Sequence, residues 1–185
     1  MKRLAIAFVV AIAGFGVLTQ VAQQPATRHH IVLSSVGSTP LTIAEMTEAA
    51  DVVALVRPTG MDRVHWNSAA NSSWTPTDER LAMIYNDQQV EVVDLLRGRV
   101  GQSITIRNIG GLVGDTLMEM EGLEPLDPPS TYLVFLETVD TPTREGWESA
   151  LSFISQGQGI FVSDGRGFVN DYGLSVTLED LRSKQ

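Results

Sequence analysis

The side chains in this chain able to do chemistry are few and dispersed. Histidines stand at 29, 30 and 65, and Trp66 and Trp74 follow the last of them. Imidazole nitrogens suit zinc or copper, yet His29 and His30 are adjacent, and neighbours in an extended segment point to opposite sides. They read as a solvated pair, and no metal site is assigned. His65 would need partners that the sequence does not place. Indole faces stack on sugars or anchor a protein partner, so Trp66, Trp74 and His65 are the candidate binding residues. The plainer alternative folds both indoles back as a lid over one end of the domain.

No catalytic set is found. G-x-S-x-G, H-E-x-x-H, a Walker loop and an EF-hand loop are all missing from the sequence. The segments GQGIFV and GRGFVN begin like dinucleotide fingerprints but lack the third glycine and a following helix, so they read as turns and close packing. Asp164, Asn170 and Asp171 have oxygen ligands suited to calcium, but turn formation explains them at less cost. No catalytic residue and no cofactor is implied. The chain has no cysteine, which removes thiolate nucleophiles, zinc–sulfur sites and disulfides together. Trp147, beside Gly146 and ahead of Leu151 and Phe153, reads as packing. Asn71-Ser72-Ser73 is a formal glycosylation sequon.

The elements that must position these groups follow from periodicity. Thr42 and Glu45 have capping-box spacing, with Ile43, Met46 and Ala50 near helical period, predicting a short N-terminal helix. Val52 to Val56 is apolar at both parities and is ended by Pro58, which predicts a strand covered on both faces, between a barrel interior and a helix. Met61 to Asp78 reads as a long loop carrying His65, Trp66 and Trp74, and loops of this length are often functional. Val90 and Val92 alternate with Gln89 and Glu91 in a half-buried strand, and Ile104 and Ile106 alternate with Thr105 and Arg107 in the next. Further strands are read at Leu117 to Met120 and Tyr132 to Leu136. Asp164-Gly165 predicts a tight reversal between Ile160–Val162 and Phe168–Val169, and Thr177 with Asp180 caps a short C-terminal helix.

Lys2 and Arg3 precede an apolar run from Leu4 to Leu18, and no further charge appears until Arg28. This is the pattern of an export signal. The best cleavage position, after Ala22, is poor because Gln20 stands where a small residue is preferred. Residues 1–22 are therefore either a cleaved signal peptide or a retained N-terminal membrane anchor; the apolar core is closer in length to a signal than to a spanning helix of roughly 20 residues. Residues 23–40 read as a polar lead-in with a short strand at Ile31 to Leu33, and 41–185 as a single β-barrel-like domain. The formal charge of −9 becomes more negative once Lys2 and Arg3 are removed. That acidity argues against nucleic acid and against an anionic membrane surface, leaving membrane contact to the N-terminal segment alone.

The order AADVVALVRP, VEVVDLLRG, SITIRNIGG, STYLVFLE and GQGIFV, over about Leu41 to Val162, resembles a family of uncharacterised exported bacterial proteins. Arg97 stands where that pattern usually has lysine, and Ser130 where it has a turn glycine. More distantly the order is similar to the netrin-like domain of tissue inhibitors of metalloproteinases, an OB-type five-stranded barrel. Those inhibitors use an N-terminal cysteine and disulfides; this chain has neither, so only the fold is implied and not the inhibitory mechanism.

The expectation is a mainly β protein, an OB-like five-stranded barrel with a short helix at each end. Its expected role is an exported, non-catalytic binding module for an envelope protein or a glycan. Two alternatives stand beside it: an envelope hydrolase with a His65–carboxylate site in a concave pocket, and a structural envelope protein held by an uncleaved N-terminal helix.

Overall fold

The computed structural model describes residues 29–34, 39–67, 82–143 and 146–183. Residues 1–28, which carry the signal or anchor expectation, lie outside them, as do Trp74 and the sequon. Among the described residues no helix is long and apolar enough to cross a membrane. The protein is mainly β, with a short helix near each end of the described chain.

Helix α1 (Ile43–Ala49) starts at the capping box read from the sequence: Glu45 N–H donates to Thr42 Oγ1 at 3.2 Å and Thr42 N–H to Glu45 Oε2 at 2.8 Å. Strand β2 (Val52–Trp66) then pairs antiparallel with β3 (Ile84–Arg97), which pairs antiparallel with β4 (Ser103–Ile109). A small sheet follows, in which β5 (Gly111–Val113) lies beside β6 (Thr116–Met120), and β1 (His29–Leu33) runs parallel to β6. The chain returns to the large sheet through β7 (Tyr132–Thr143), β8 (Gly146–Phe153), β9 (Ile160–Ser163), β10 (Phe168–Val169) and β11 (Ser175–Val176), and ends with α2 (Leu178–Arg182). The cap of α2 pairs Thr177 with Asp180, as its sequence spacing predicts.

Five strands of the large sheet pair in a ring, β2–β3–β4–β8–β7 and back to β2. The ring is uneven. Between β4 and β8 the ladder is a single parallel pair, Ile106 with Leu151, whereas β3 and β4 pair continuously from Tyr85 to Glu91.

Val52 to Val56 is buried on both faces. Val53 and Leu55 join Met46 of α1, Leu181 of α2, Phe135 and Phe161 on one side. Val52, Ala54 and Val56 join Val90, Ile104, Ile106, Val134 and Phe153 on the other, which is the interior of the ring. Each fully buried side chain of this kind contributes roughly 1.5–3 kcal/mol.

Three local readings change. Strand β2 does not stop at Pro58: Pro58 still pairs with Val90, the ladder then skips to Asp62 with Gln88, and Thr59 Oγ1 ties the bulge to the Gln89 carbonyl at 2.9 Å. A proline tolerated at a bulge ends pairing only locally, so Met61 to Trp66 are strand and not loop. The β9–β10 hairpin spans Asp164 to Gly167, longer than a two-residue turn, because Asp164 Oδ1 accepts from both Arg166 and Gly167 N–H at 2.8 Å. Trp147 is 75 % exposed, so it is not a packing residue.

Gly110 and Gly111 turn the chain out of β4 into the small sheet, both at strongly positive φ. A Cβ on Gly111 would stand 2.5 Å from Val64 Cγ1. Gly111→Ala therefore combines backbone strain with overpacking and should lower stability by about 1–3 kcal/mol, read as a fall in the urea unfolding midpoint; an unchanged midpoint would mean the bend tolerates a side chain.

Candidate functional site

Strand period and register bring one polar group together. His65 of β2 lies opposite Tyr85 of β3, and Asp87, on the same face as Tyr85, lies opposite Arg107 of β4. Arg107 grips Asp87 with two bonds, Nε to Oδ1 at 2.7 Å and Nη2 to Oδ2 at 2.9 Å. Its Nη1 reaches β7 and β8, donating to Thr141 Oγ1 at 3.0 Å and Glu148 Oε2 at 2.9 Å. The guanidinium also sits 5.1 Å from the centre of the Tyr85 ring. Burial alone would push the Asp87 carboxyl up, but hydrogen bonds and charge from Arg107 and His65 outweigh it and hold it below its ordinary value. Burial pushes the Tyr85 phenol up to about 12, with Arg107 opposing and Asp87 adding to the rise.

A hydrolytic reading of His65 asks for a carboxylate within reach, and Asp87 Oδ2 lies 3.0 Å from Nε2. The imidazole is nevertheless 3 % exposed, and its Nδ1 is 2.7 Å from the Trp66 carbonyl. Both ring nitrogens are thus engaged, and neither faces an open space. The group acts as a cross-link. It ties β4 to the β7–β8 hairpin where the backbone ladder is thinnest.

A cleft of about 760 Å³ opens on the other face of β3 and β4. Along the inward-facing column, Val90, Ile104 and Ile106 give way to Gln88, Asn86 and Asn108. Gln88 is fully buried and clamps Leu126 by both of its amide atoms: Nε2 donates to the Leu126 carbonyl at 3.2 Å and Oε1 accepts from Leu126 N–H at 3.0 Å. Tyr132 holds the next residue, its hydroxyl accepting from Asp127 N–H at 3.0 Å. These ties fix the Gly122–Asp127 segment as one wall of the cleft. Met118, Met120 and Leu117 of β6 supply an apolar wall, and Gly110 and Gly111 bring backbone close.

The floor holds an unusual pair. Asn86 and Asn108 lie directly across the β3–β4 ladder, 9 % and 5 % exposed, and the side-chain carbonyl oxygen of each is buried without a hydrogen-bond partner. Leaving a buried acceptor unsatisfied costs about 1–3 kcal/mol. The rim adds Glu119, Glu121, Glu124, Asp127 and Asp171, and among the described residues that line the cleft there is no lysine or arginine.

The residues singled out from sequence fall differently. Trp66 is buried in a cluster with Ile84 and Met118, behind the cleft wall. His65 belongs to the Asp87–Arg107 group, and Trp74 lies outside the described residues. His30 pairs with Glu119 at the cleft rim, and His29 begins β1. Sequence reasoning missed Asn86, Gln88 and Asn108, although the first two stand in phase with Val90 and Val92. Polar residues at inward-facing parity were the signal. Among the described residues no three His, Asp or Glu side chains gather as a metal site would require.

Two outcomes test the cross-link. Arg107→Met removes both bonds to Asp87 and those to Glu148 and Thr141, and should cost about 3 kcal/mol in urea unfolding; a loss near zero would make the group ornamental. Because folding lowers the pKa of Asp87, its contribution is present above the unfolded carboxylate value and is lost as pH falls below about 4. Asp87→Asn should therefore flatten the acid limb of stability against pH relative to the unmodified protein, and an identical limb would remove Asp87 from the account.

Comparison of the chain with protein-family models, with curated proteins and with solved structures finds no match.

Proposed function

We propose that this protein is an exported, non-catalytic binding module, built on an OB-type five-stranded barrel within 41–185, that takes its ligand in the cleft floored by Asn86 and Asn108. The single observation carrying this reading is a cleft that combines an apolar wall of Leu117, Met118 and Met120 with the polar residues Asn86 and Asn108. Ligand sites combine an apolar lining with a few placed polar groups, in volumes of roughly 300–1,000 Å³, and about 760 Å³ lies within that range. The pairing order of the ring supports the barrel reading, and the charged start of the chain supports export. The burial of His65 and the engagement of both its nitrogens weigh against the hydrolase alternative.

The binding reading is checked by nuclear magnetic resonance with a mixed panel of neutral and charged fragments. Perturbations should gather on Gly110, Gly111 and the side-chain amides of Asn86 and Asn108, and Asn108→Leu should weaken those fragments by about tenfold or more with unchanged circular dichroism. Perturbations gathering on the Trp74 indole instead would return the site to the segment between β2 and β3.

A further inference from the structure

We propose that the outer half of the β7–β8 hairpin, residues 139–143 with 146–150, is a hinged strap that opens without unfolding the rest of the domain, and that Arg107 is the latch holding it closed. The strap meets the outward face of β4, opposite the cleft, and the inference does not depend on what the cleft binds.

The ladders that hold β7 end before the strap begins. Strand β2 pairs with β7 from Tyr132 to Leu136, and β9 pairs with it from Tyr132 to Val134. From Glu137 to Thr143 the ladder of β7 is with β8 alone among the described residues. Strand β8 in turn meets β4 at the single pair of Ile106 and Leu151. The root of the hairpin is fixed: Thr138 N–H donates to Asp51 Oδ2 at 2.7 Å, and Leu151 and Phe153 pack into the interior of the ring. Beyond that root, among the described residues, no side chain of the strap joins an apolar cluster, and Trp147 is exposed. The bonds from Thr141 Oγ1 to the Glu148 carbonyl and from Ser149 Oγ to Asp140 Oδ1 lie within the strap, so they travel with it and do not oppose its movement.

What holds the strap down is Nη1 of Arg107, which donates to Thr141 Oγ1 and Glu148 Oε2. The other two nitrogens of the guanidinium stay on Asp87 whether the strap is closed or open, so release does not strand an unpaired charge. Glu148 is 47 % exposed, and water and salt compete for its carboxylate. A segment with few buried apolar contacts opens at a lower free energy than the whole fold. Closed, the strap buries Thr141 against Arg107. Open, it leaves Nη1 as a charged donor on the surface of β4. Internal hydrogen bonds and one exchangeable latch give the hairpin two discrete arrangements, which is what a switching element requires.

The test uses the absence of cysteine, since any introduced thiol is then the sole site of labelling. Thr141→Cys in the full chain reports the strap, and Val90→Cys, fully buried inside the ring, reports global unfolding. The strap thiol should react with iodoacetamide at a rate nearly independent of low urea, whereas the Val90→Cys thiol should react only as urea approaches the unfolding midpoint. Adding Glu148→Ala to Thr141→Cys should speed labelling about tenfold or more with little change in the urea midpoint, and sodium chloride should speed it in the presence of Glu148 only. A bulky maleimide should label as readily as iodoacetamide when each is scaled to free cysteine. Should Thr141→Cys disturb the fold, Ala150→Cys on the facing strand gives the same readings. Strap labelling that tracks the Val90→Cys thiol would overturn the proposal, because the hairpin would then open only with the whole domain. A rate unchanged by Glu148→Ala would remove Arg107 as the latch, and a strong preference for the small reagent would mean a static gap in place of opening; either result overturns the proposal.

Discussion

The ring of strands depends on Arg107. Between β4 and β8 the backbone offers one parallel pair, and parallel pairing is the weaker kind per residue. Arg107 supplies what the ladder does not, by binding Asp87 of β3 with one edge of its guanidinium and Thr141 and Glu148 of β7 and β8 with another nitrogen. A planar cation with several donors in fixed directions can hold three strands at once, which a lysine cannot. His65 and Tyr85 complete the enclosure from β2 and β3, and the same enclosure holds Asp87 ionised and raises the Tyr85 phenol.

The cleft is the consequence on the opposite face of the same two strands. Because β3 and β4 stay in register from Tyr85 to Glu91, odd positions on β3 feed the ionic cross-link and even positions feed the interior. The interior column is apolar up to Val90 and Ile106 and then turns polar. Gln88 forms the boundary, satisfied at every amide atom by Asp62, Asn108 and the Leu126 backbone. Beyond it the oxygens of Asn86 and Asn108 have no partner. A packed apolar end would have been more stable than a polar layer that stops short of satisfaction. The Gly110-Gly111 bend opens the space by carrying the small sheet away from β4, and the Gln88 clamp keeps the Gly122–Asp127 wall in place.

Much of the architecture was legible because its causes are short-ranged. The two capping boxes, Thr42 with Glu45 and Thr177 with Asp180, act over three residues and appear in the structure as written. Val52 to Val56 announced a strand covered on both faces because no polar residue interrupts it. Misreadings came where a local signal met tertiary pairing. Pro58 looked like a terminator, but a bulge let β2 resume and carry His65 and Trp66 into the sheet. Trp147 looked like core, but on β8 its side is left open. The candidate site was less legible: Asn86, Gln88 and Asn108 belong to no motif, and only the phase of Asn86 and Gln88 with Val90, and of Asn108 with Ile106, hinted that they face inward.

The sequence by itself determined the β-rich class, both helix starts and the two-faced burial of β2, since each is written in residues a few positions apart. The tertiary structure decided which distant side chains meet. His65, Asp87, Arg107 and Glu148 are separated by tens of residues, and their convergence depends on the register of three ladders and on a bulge that shifts one of them. A one-residue slip would send Asp87 inward and Gln88 outward, exchanging the ionic cross-link and the floor of the cleft. Register is a collective property of the folded sheet, held by packing and hydrogen bonds among segments far apart in the chain, and that is why the site could be read only from the structure.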